Sequence, residues 1–523
     1  MSAPTTTNDP TTAPGTAPEE LVIRCPGTGE IAGRVAVDGV EDVAARAAAL
    51  RSAQPAWAAL SFAERAGWMR RWRDWMLDEE QALLELVQRE TGKSWNDTNV
   101  ELPVALEVIN YYAKHAAAFL APEHPRPHSV AMATKRIAVH FQPHQLVGLI
   151  TPWNGPIGNP MLDLPAAMMA GCAVLTKPSE ITPLTWAELV RGWREAIGAP
   201  PILDCAQGGG EIGAAVVDVV DMVHFTGSVA TGRRIGARCG ERLIPCSLEL
   251  GGKDPMVVCA DADLERAANA AVWGGFMGAG QACISVERVY VEDEVHDAFV
   301  DLVVERADAL RVGMDAGPRP EADFGAMATE DQIRIVERHV ADAQEKGART
   351  LTGGRRLPGP GLFYPPTVLV DVDHSMACMR EETFGPTLPI MRVPDVDEAV
   401  RLANDSPYGL SGSVWTRDRE KGERIAQQLE VGAVNLNNVL INLFQLGAPQ
   451  GGWRDSGIGG RLGGPSGIRK YCHERVVVGD RIAPSSEPVW YPATSRRLAL
   501  QRRGARLLGA GDWRRRLGLR GRA

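Results

Sequence analysis

The sequence predicts an α/β protein built on mainly parallel sheets. Three observations lead to this fold class: short buried apolar runs such as Leu146–Ile150, helical patterns between them, and a length of 523 residues, enough for two or three domains. Strands that alternate with helices form parallel sheets covered by helices on both faces. Because such sheets bind ligands at the carboxyl ends of their strands, residues that follow predicted strands are the first candidates for a site.

The composition excludes several classes of protein. Hydrophobic residues at 45% and charged residues at 23% are ordinary for a soluble globular chain, and a net charge of −9 argues against a nucleic-acid binder. Nine cysteines without CxxC spacing favour reduced thiols in the cytoplasm, with neither a zinc site nor a disulfide framework. No apolar run approaches the ~18 residues of a membrane helix, so we expect no integral membrane segment.

Both ends of the chain differ from the middle. Residues 1–20, rich in Thr, Pro and Ala, are predicted to be a disordered leader. Residues 496–523 hold ten arginines and the single acid Asp512, so this segment carries +9 and the rest of the chain −18. We expect residues 486–523 to form a solvated, partly disordered basic tail, with an acidic membrane surface or a protein partner as the alternatives.

The first part of the chain is predicted to be helical. From Val43 to Leu120 apolar residues recur at helical spacing, and Ser61 with Glu64 forms a capping box before the tryptophan-rich run Trp68–Trp75. These tryptophans are predicted to belong to the core.

Strands and helices then alternate. The predicted strands are Ile137–Gln142, Leu146–Ile150, Ala173–Thr176, Met222–Phe225, Met256–Val258, Arg288–Val291 and Thr367–Val370. The predicted helices are Asn159–Ala170, one starting at Thr182-Pro183, Asp263–Trp273 and Val295–Leu310.

The stretch Leu248–Ser285 contains the residues best suited to covalent chemistry on a carbonyl. Such chemistry needs a soft nucleophile and a separate base that activates water. Cys283, in Gly-Ala-Gly-Gln-Ala-Cys, could be the nucleophile, and Glu249, before Gly251-Gly252, could be the base. A buried structural cysteine and a salt-bridged glutamate are the alternatives.

Four motifs in order resemble those of the NAD(P)-dependent aldehyde dehydrogenase superfamily, over residues 21–480. They are Pro152-Trp153-Asn154, Leu248–Lys253, Gly278–Ser285 and Glu381–Pro386. The resemblance implies oxidation of an aldehyde to a carboxylic acid. It also implies a Rossmann-like cofactor domain, an α/β catalytic domain and a small β bridging element. The expected boundaries are 21–131 with 143–250 for the NAD(P)-binding domain, 251–450 for the catalytic domain, and 132–142 with 471–482 for the bridging strands.

By this resemblance, Cys283 attacks the aldehyde and Glu249 activates the water that releases the acid. Asn154 and the Cys283 amide would stabilise the oxyanion. A plain turn asparagine is the alternative for Asn154, since Trp-Asn-Gly-Pro is itself a good turn sequence. The family commonly has an aromatic residue where this chain has Gly155.

The resemblance also assigns residues to the cofactor. The set is Trp153, Lys177, Ser179, Glu180, Gly227, Ser228, Leu250, Glu382 and Phe384. Because a carboxylate accepts hydrogen bonds from a free 2′-hydroxyl and repels a 2′-phosphate, Glu180 favours NAD over NADP, with NADP as the alternative. The run Gly208–Gly213 satisfies GxGxxG literally, but we rank the Gly227 loop above it because the strand and carboxylate of that motif are not evident.

Two further expectations follow from the resemblance. The residues around Cys283 and in Gly451–Tyr471 look most like a branch that includes succinate-semialdehyde dehydrogenases, with other aliphatic or aromatic aldehydes as alternatives. Exposed bridging strands predict a homodimer or homotetramer. The rival interpretations are a non-catalytic protein that kept the fold and a cysteine hydrolase, which would need a histidine partner.

Overall fold

The structure is a computed structural model that describes residues 20–487 and 489–519. The predicted leader therefore lies outside the described residues, apart from Glu20 at the start of the first strand. The described chain forms two compact units, 20–120 with 142–473 and 121–141 with the remainder after 473. No helix of the described residues is long and apolar enough to cross a bilayer.

Strands and α-helices alternate through most of the chain. The strands are β1 (Glu20–Arg24), β2 (Ile31–Ala36), β3 (Lys135–Pro143), β4 (Leu146–Ile150), β5 (Ala173–Lys177), β6 (Leu203–Cys205), β7 (Met222–Thr226), β8 (Cys246–Glu249), β9 (Asp254–Val258), β10 (Val286–Glu292), β11 (Arg349–Thr350), β12 (Thr367–Val370), β13 (Thr387–Val393), β14 (Ser411–Trp415), β15 (Ala433–Leu436), β16 (Gly457–Ile458) and β17 (Cys472–Asp480). The helices are α1 (Val40–Ala59), α2 (Phe62–Asp78), α3 (Glu80–Thr91), α4 (Trp95–Asn99), α5 (Glu101–Phe119), α6 (Gly158–Ala170), α7 (Leu184–Arg191), α8 (Gly210–Val219), α9 (Val229–Arg242), α10 (Leu264–Phe276), α11 (His296–Asp308), α12 (Glu330–Glu345), α13 (Ala377–Arg380), α14 (Val396–Asn404), α15 (Arg419–Ala426), α16 (Gly464–Arg469), α17 (Ser495–Gly509) and α18 (Trp513–Arg516).

Two sheets dominate the first unit. One has six strands in the order β16-β8-β7-β4-β5-β6, parallel except for the β16–β8 pair. The other has seven, β11-β12-β13-β10-β9-β14-β15, parallel except for β11. The predicted α/β class is confirmed.

A glycine allows the short strand β16 to reach the six-stranded sheet. Gly457, at φ +147°, pairs with Glu249 of β8, and a Cβ on it would lie 2.1 Å from the Leu248 carbonyl oxygen. No other residue could come this close to the neighbouring backbone, so Gly457 fixes the strand beside Glu249.

The tryptophans of the run Trp68–Trp75 were predicted to belong to the core, but only one of them is fully buried. In α2, Trp72 is fully buried, whereas Trp68 and Trp75 are half-buried. Trp72 packs edge-on against Trp186 and Trp193, with ring centroids 6.5 and 5.4 Å away. The capping box is present, since Ser61 N donates to Glu64 Oε2 at 2.7 Å and Glu64 N to Ser61 Oγ at 3.3 Å.

Several elements were not predicted. The hairpin of β1 and β2 precedes the helical part, and its strands are short and half-exposed, which weakens their apolar signal. Strand β13 contains Pro389, and β14 begins Ser-Gly-Ser, so neither has the β-branched run on which strand prediction depends.

The second unit contains the β3–β17 sheet and the C-terminal helices. Within the described part of the predicted basic tail, α17 forms with Thr494 as its N-cap, whose hydroxyl accepts from Arg497 N at 3.2 Å. The large apolar side chains of α17 and α18, Leu498, Leu500, Leu507, Leu508 and Trp513, are all about half exposed or more.

Candidate active site

Four parallel strands of the six-stranded sheet end at one edge, and each delivers residues that the sequence singled out. Trp153 and Asn154 follow β4, Lys177 is the last residue of β5, Gly227 follows β7, and Glu249 ends β8. The carboxyl ends of parallel strands lie side by side, which explains why residues far apart in sequence meet here.

The loop that carries Cys283 comes from the other sheet, between α10 and β10. It begins with a left-handed turn in which Gly278, Ala279 and Gly280 have φ of +60°, +59° and +71°. The Gln281 side chain closes the turn, because its Nε2 donates to the carbonyl oxygens of Gly278 and Ala326 at 3.0 and 3.2 Å. The half-buried Cys283 is therefore held on a fixed loop.

A cavity of about 760 Å³ lies against the ends of these strands. Of the twelve residues that the sequence assigned to the site, eleven line it; Glu249 does not. The eleven are Trp153, Asn154, Lys177, Ser179, Glu180, Gly227, Ser228, Leu250, Cys283, Glu382 and Phe384.

A second cavity of about 140 Å³ is also lined by the loop that carries Cys283. Its lining includes Ile284, which the sequence expected in the substrate pocket, whereas Ser285 is buried and does not line it. Asn154, Asn159 and Cys283 line both cavities. The Cys283 residue is thus shared by a large and a small cavity.

The Asn154 side chain is oriented by its neighbours. Its Oδ1 accepts from Asn159 Nδ2 at 2.9 Å, and its Nδ2 donates one hydrogen to the Gln281 carbonyl oxygen at 2.9 Å. An amide nitrogen has two hydrogens, so one donor remains for a ligand. Gly155 contributes because a Cβ there would lie 3.0 Å from Asn159 Nδ2, crowding the residue that orients Asn154.

Glu249 is buried behind this surface. Its Oε1 has no hydrogen-bond partner among the described residues. Burial raises the pKa of Glu249 to about 7, although the cations Arg461 and Lys470 act in the opposite direction. A carboxyl group with this pKa can exchange a proton near neutral pH.

A buried ionic cluster that the sequence analysis missed lies beside Glu249. Asp163 accepts from Lys470 Nζ at 2.8 Å and pairs with Arg461 Nε at 3.3 Å and His224 Nε2 at 3.0 Å. Burial alone would raise the pKa of Asp163, but His224, Lys470 and Arg461 hold it well below its usual range. Burial lowers the pKa of His224 to about 4, so Lys470 and Arg461 are the cations of the cluster near neutral pH. Two cations against one carboxylate leave the cluster with one positive charge.

Arg461 connects this cluster to Asn154 through Asn159. Its Nη2 donates to Asn159 Oδ1 at 3.0 Å, and Asn159 in turn holds Asn154. Burial raises the pKa of the Cys283 thiol to about 11, and Arg461 is the charge that most strongly opposes this rise. Arg461 lies in the run Gly451–Tyr471, whose resemblance gives no role to this arginine, so only the fold reveals its contact with Asn159.

The cofactor candidates are arranged around the larger cavity. Lys177 Nζ lies 3.1 Å from Glu180 Oε2. Ser228 caps α9, whose first turn faces the cavity through Thr231. Glu382 Oε1 accepts from Gly252 N at 3.0 Å.

Phe384 is held in an unusual conformation at the other end of this cavity. Its φ is +50°, and its backbone N–H donates to Glu287 Oε1 at 2.8 Å, while its ring meets that of Trp153 edge-on at 5.5 Å. Lys253 pairs with the other oxygen of Glu287. Glu287 and Lys253, which the sequence did not single out, therefore support a strained residue at the site.

The loop ranked second by sequence also contributes to this cavity. Gly210 and Gly213, from the run Gly208–Gly213, line it together with Gly227. A Cβ on Gly210 would meet no atom within 4 Å, so its backbone faces open space. Two glycine loops at helix starts face the same cavity, a common arrangement for binding a pyrophosphate.

The larger cavity fits a dinucleotide. Its volume lies within the roughly 300–1,000 Å³ of cofactor sites, and it offers a carboxylate, a lysine, two helix N-termini and an aromatic ring. A cavity that fits a dinucleotide, with a cysteine that also lines a smaller cavity, is typical of a nucleotide-dependent oxidoreductase.

Comparisons with known proteins agree with this class. Residues 13–477 match the model of the aldehyde dehydrogenase family. The protein of Mycolicibacterium smegmatis named "Putative succinate-semialdehyde dehydrogenase", with NADP(+) given as its cofactor, is 40% identical over 89% of this chain and 90% of its own length. Among solved structures, the Mycobacterium tuberculosis aldehyde dehydrogenase complexed with NAD+ has a TM-score of 0.83 at 34% identity, covering 89% of this chain and 95% of its own. Lactaldehyde dehydrogenase from Escherichia coli has a TM-score of 0.84 at 32% identity, covering 89% and 96%.

The chain belongs to the aldehyde dehydrogenase family. It is an NAD(P)-dependent enzyme that oxidises aldehydes to carboxylic acids, as the sequence predicted.

Proposed function

We propose that Cys283 is the nucleophile, Asn154 the oxyanion donor and Glu249 the base that activates water. The observation that carries this proposal is the position of Cys283, which lines both the dinucleotide-sized cavity and the smaller one. A nucleophile in this position can hold a substrate from one cavity against a cofactor in the other.

In the first step the Cys283 sulfur adds to the aldehyde carbon. The free N–H of Asn154 and the backbone N–H of Cys283 then face the oxygen that becomes negatively charged. Because Asn154 Oδ1 is held by Asn159, the donor needs no reorientation. The Arg461 cation favours the thiolate, whose formation burial opposes.

The residues that would hold the cofactor are Lys177, Ser179 and Glu180 at the adenosine end and Glu382 and Phe384 at the nicotinamide end. When bound, the nicotinamide supplies the hydride acceptor that converts the adduct to a thioester. Gly251 lets Glu382 approach, since a Cβ there would lie 2.3 Å from Glu382 Oε2.

Glu249 acts in the release step. With a pKa near 7 it takes a proton from water, the hydroxide adds to the thioester carbon, and the carbon–sulfur bond breaks. The products are the carboxylic acid and the Cys283 thiolate.

The test is the appearance of reduced nicotinamide when the purified protein meets an aldehyde panel with NAD or NADP. We expect Cys283→Ala to abolish turnover and Asn154→Ala to lower kcat about 10²- to 10³-fold. Cofactor binding retained by both variants serves as the control for folding. Full turnover in Cys283→Ala would overturn the assignment.

The lining of both cavities argues against a cysteine hydrolase. Within the described residues, neither cavity is lined by a histidine that could activate Cys283. Ester hydrolysis independent of cofactor, together with inertness toward aldehydes, would restore that rival.

Two classes of aldehyde are candidates for the substrate. One is succinate semialdehyde, because relatives of this chain are named as putative succinate-semialdehyde dehydrogenases. The motifs in the sequence suggested the same branch of the family. Aliphatic and aromatic aldehydes without a carboxylate form the other class, and the lining of the smaller cavity bears on the choice.

We also propose a homodimer or homotetramer in the cytoplasm. Support for the assembly comes from the β3–β17 sheet, where Val476, Val477 and Val478 are 59%, 49% and 62% exposed. Sheets with exposed apolar strands invite pairing with a second copy. The nine free cysteines support a reducing compartment.

A further inference from the structure

We infer that the substrate is an uncharged, apolar aldehyde and that semialdehydes carrying a carboxylate are poor substrates. The inference rests on the proposed function, because it takes the 140 Å³ cavity at Cys283 to be the substrate cavity. It departs from the substrate in the relatives' names and is carried by the chemistry of this cavity's lining.

Most side chains of this cavity are apolar. Helices α5, α6 and α10 and the turn after β15 contribute them, and Ile284 adds one directly beside Cys283. The apolar lining also includes Val104, Leu162, Met277, Leu443 and Phe444. Trp273, which is 44% exposed, also lines the cavity, so a longer chain can extend past it toward solvent.

Lys93 is one of two cations in the lining, and it is already engaged. It forms an ion pair with Glu101 and donates to the Asn154 carbonyl oxygen at 2.7 Å. The Glu101 carboxylate is buried and also accepts from Ile157 N at 2.8 Å. Drawing Lys93 toward a substrate carboxylate would leave Glu101 as a buried, uncompensated charge.

Arg461 is the other cation, and it is also engaged. Its guanidinium pairs with Asp163 and donates to Asn159, which orients Asn154. A substrate carboxylate that captured Arg461 would disturb the oxyanion donor on which the reaction depends. Within the described chain no other lysine or arginine lines this cavity.

The lining also contains acids that repel a second anion. Asp97 and Glu101 both line the cavity, and Asp97 Oδ2 is buried without a hydrogen-bond partner in the described structure. The two acids offset the two cations of the lining in number, and Lys470, the other cation of the Asp163 cluster, does not line the cavity. A substrate carboxylate would therefore lose its hydration and could gain an ion pair only by taking Lys93 or Arg461 from a partner that it already has. An alkyl or aryl group has no charge to desolvate, and its transfer from water to the apolar lining is favourable.

The test compares succinate semialdehyde with its methyl ester, which has the same chain and no charge. We expect kcat/KM for the ester to exceed that for the acid at least tenfold. In a series of straight-chain aldehydes, kcat/KM should rise about three- to fourfold per methylene, the conversion of ~0.8 kcal/mol, until the cavity is filled.

A substitution in the cavity lining tests the same inference with the same pair of substrates. Met277 is half-buried, packs against the core and lines the cavity, so Met277→Arg adds a third cation to the lining. We expect Met277→Arg to raise kcat/KM for succinate semialdehyde at least tenfold relative to the ester. Met277→Gln, of similar size and neutral, is the matched control and should leave the ratio within about threefold.

The outcomes separate the two proposals. If the unmodified protein oxidises succinate semialdehyde as well as or better than the ester, with dependence on Cys283, the substrate inference is overturned and the proposed function stands. If no aldehyde of the panel yields reduced NAD or NADP while cofactor binding is retained, the proposed function itself fails.

Discussion

Glu249 illustrates how burial sets the chemistry of one residue. The carboxyl group lies behind the cavity lining, with Oε1 unpaired in the described structure and a pKa raised to about 7 by burial. The ionised form is the one that accepts a proton from water, so its fraction increases as pH rises through 7.

We therefore predict that kcat rises with pH between about 6 and 8 when thioester hydrolysis limits turnover. Glu249→Gln should keep the initial burst of reduced cofactor and lower the steady rate about 10²-fold or more. The steady rate of this variant should no longer rise as the pH passes through 7. Stopped-flow absorbance across this pH range measures both phases. A burst lost together with the steady rate would instead assign Glu249 to the attack step.

Arg461 acts at the residue scale through charge. It opposes the burial-induced rise in the pKa of both Glu249 and Cys283, and it belongs to a cluster with one excess positive charge. We predict that Arg461→Met shifts the rising limb of the pH–kcat profile upward by about one unit or more.

The matched variant Arg461→Lys keeps the charge. It should shift the rising limb of the pH–kcat profile by less than half as much as Arg461→Met does. Thermal melting and cofactor binding report whether either variant folds, and the pH profile is the readout that a purely structural role would leave unchanged. An unshifted limb in a folded Arg461→Met protein contradicts the assignment.

At the scale of elements, α2 packs against the turn of π-helix that follows α7, and a glycine lies at the contact. Gly192 begins a turn of π-helix after α7, and a Cβ on it would lie 2.1 Å from the Trp75 ring. Gly67 in α2 has no atom within 4 Å of its Cβ position. The two glycines therefore differ in packing although both lie in helical segments.

We predict that Gly192→Ala destabilises the protein by about 1–3 kcal/mol, because the tryptophan ring must move. Gly67→Ala should be neutral or stabilising by up to about 1 kcal/mol, because alanine is the better helix former. Urea unfolding monitored by tryptophan fluorescence measures both. Equal effects of the two changes would show that the Trp75 contact is not limiting.

The pairing of strands also explains which residues of the candidate site could be predicted from sequence and which could not. Lys177, Asn154 and Cys283 could be proposed from sequence because each lies in a short local motif that resembles one of the family. The continuous apolar runs of β4 and β5 place Asn154 after the end of one strand and Lys177 at the end of the other. Arg461 and Asp163 are 298 residues apart and meet because β16 pairs with β8. No local pattern records such a contact, so the cluster behind Glu249 emerged only from the folded chain.

The homo-oligomer that we propose belongs to the scale of the whole molecule. The β3–β17 sheet presents exposed valines in strand β17. We predict that Val476→Lys with Val478→Lys shifts the protein to a smaller species, because charges disfavour strand pairing between copies. Light scattering after size exclusion measures the mass, and Val489→Lys, at a position that is 77% exposed in the same unit, is the control. An unchanged mass would place the interface elsewhere.

The two cavities that share Cys283 have a consequence for inhibition. A compound confined to the smaller cavity touches Cys283 and Ile284 but neither Lys177 nor Glu180, which line only the larger one. Such a compound would compete with the aldehyde and leave dinucleotide affinity unchanged, so it could be selective among enzymes that share the cofactor. Its contacts would include Met277, Leu443 and Phe444, apolar side chains that line the smaller cavity.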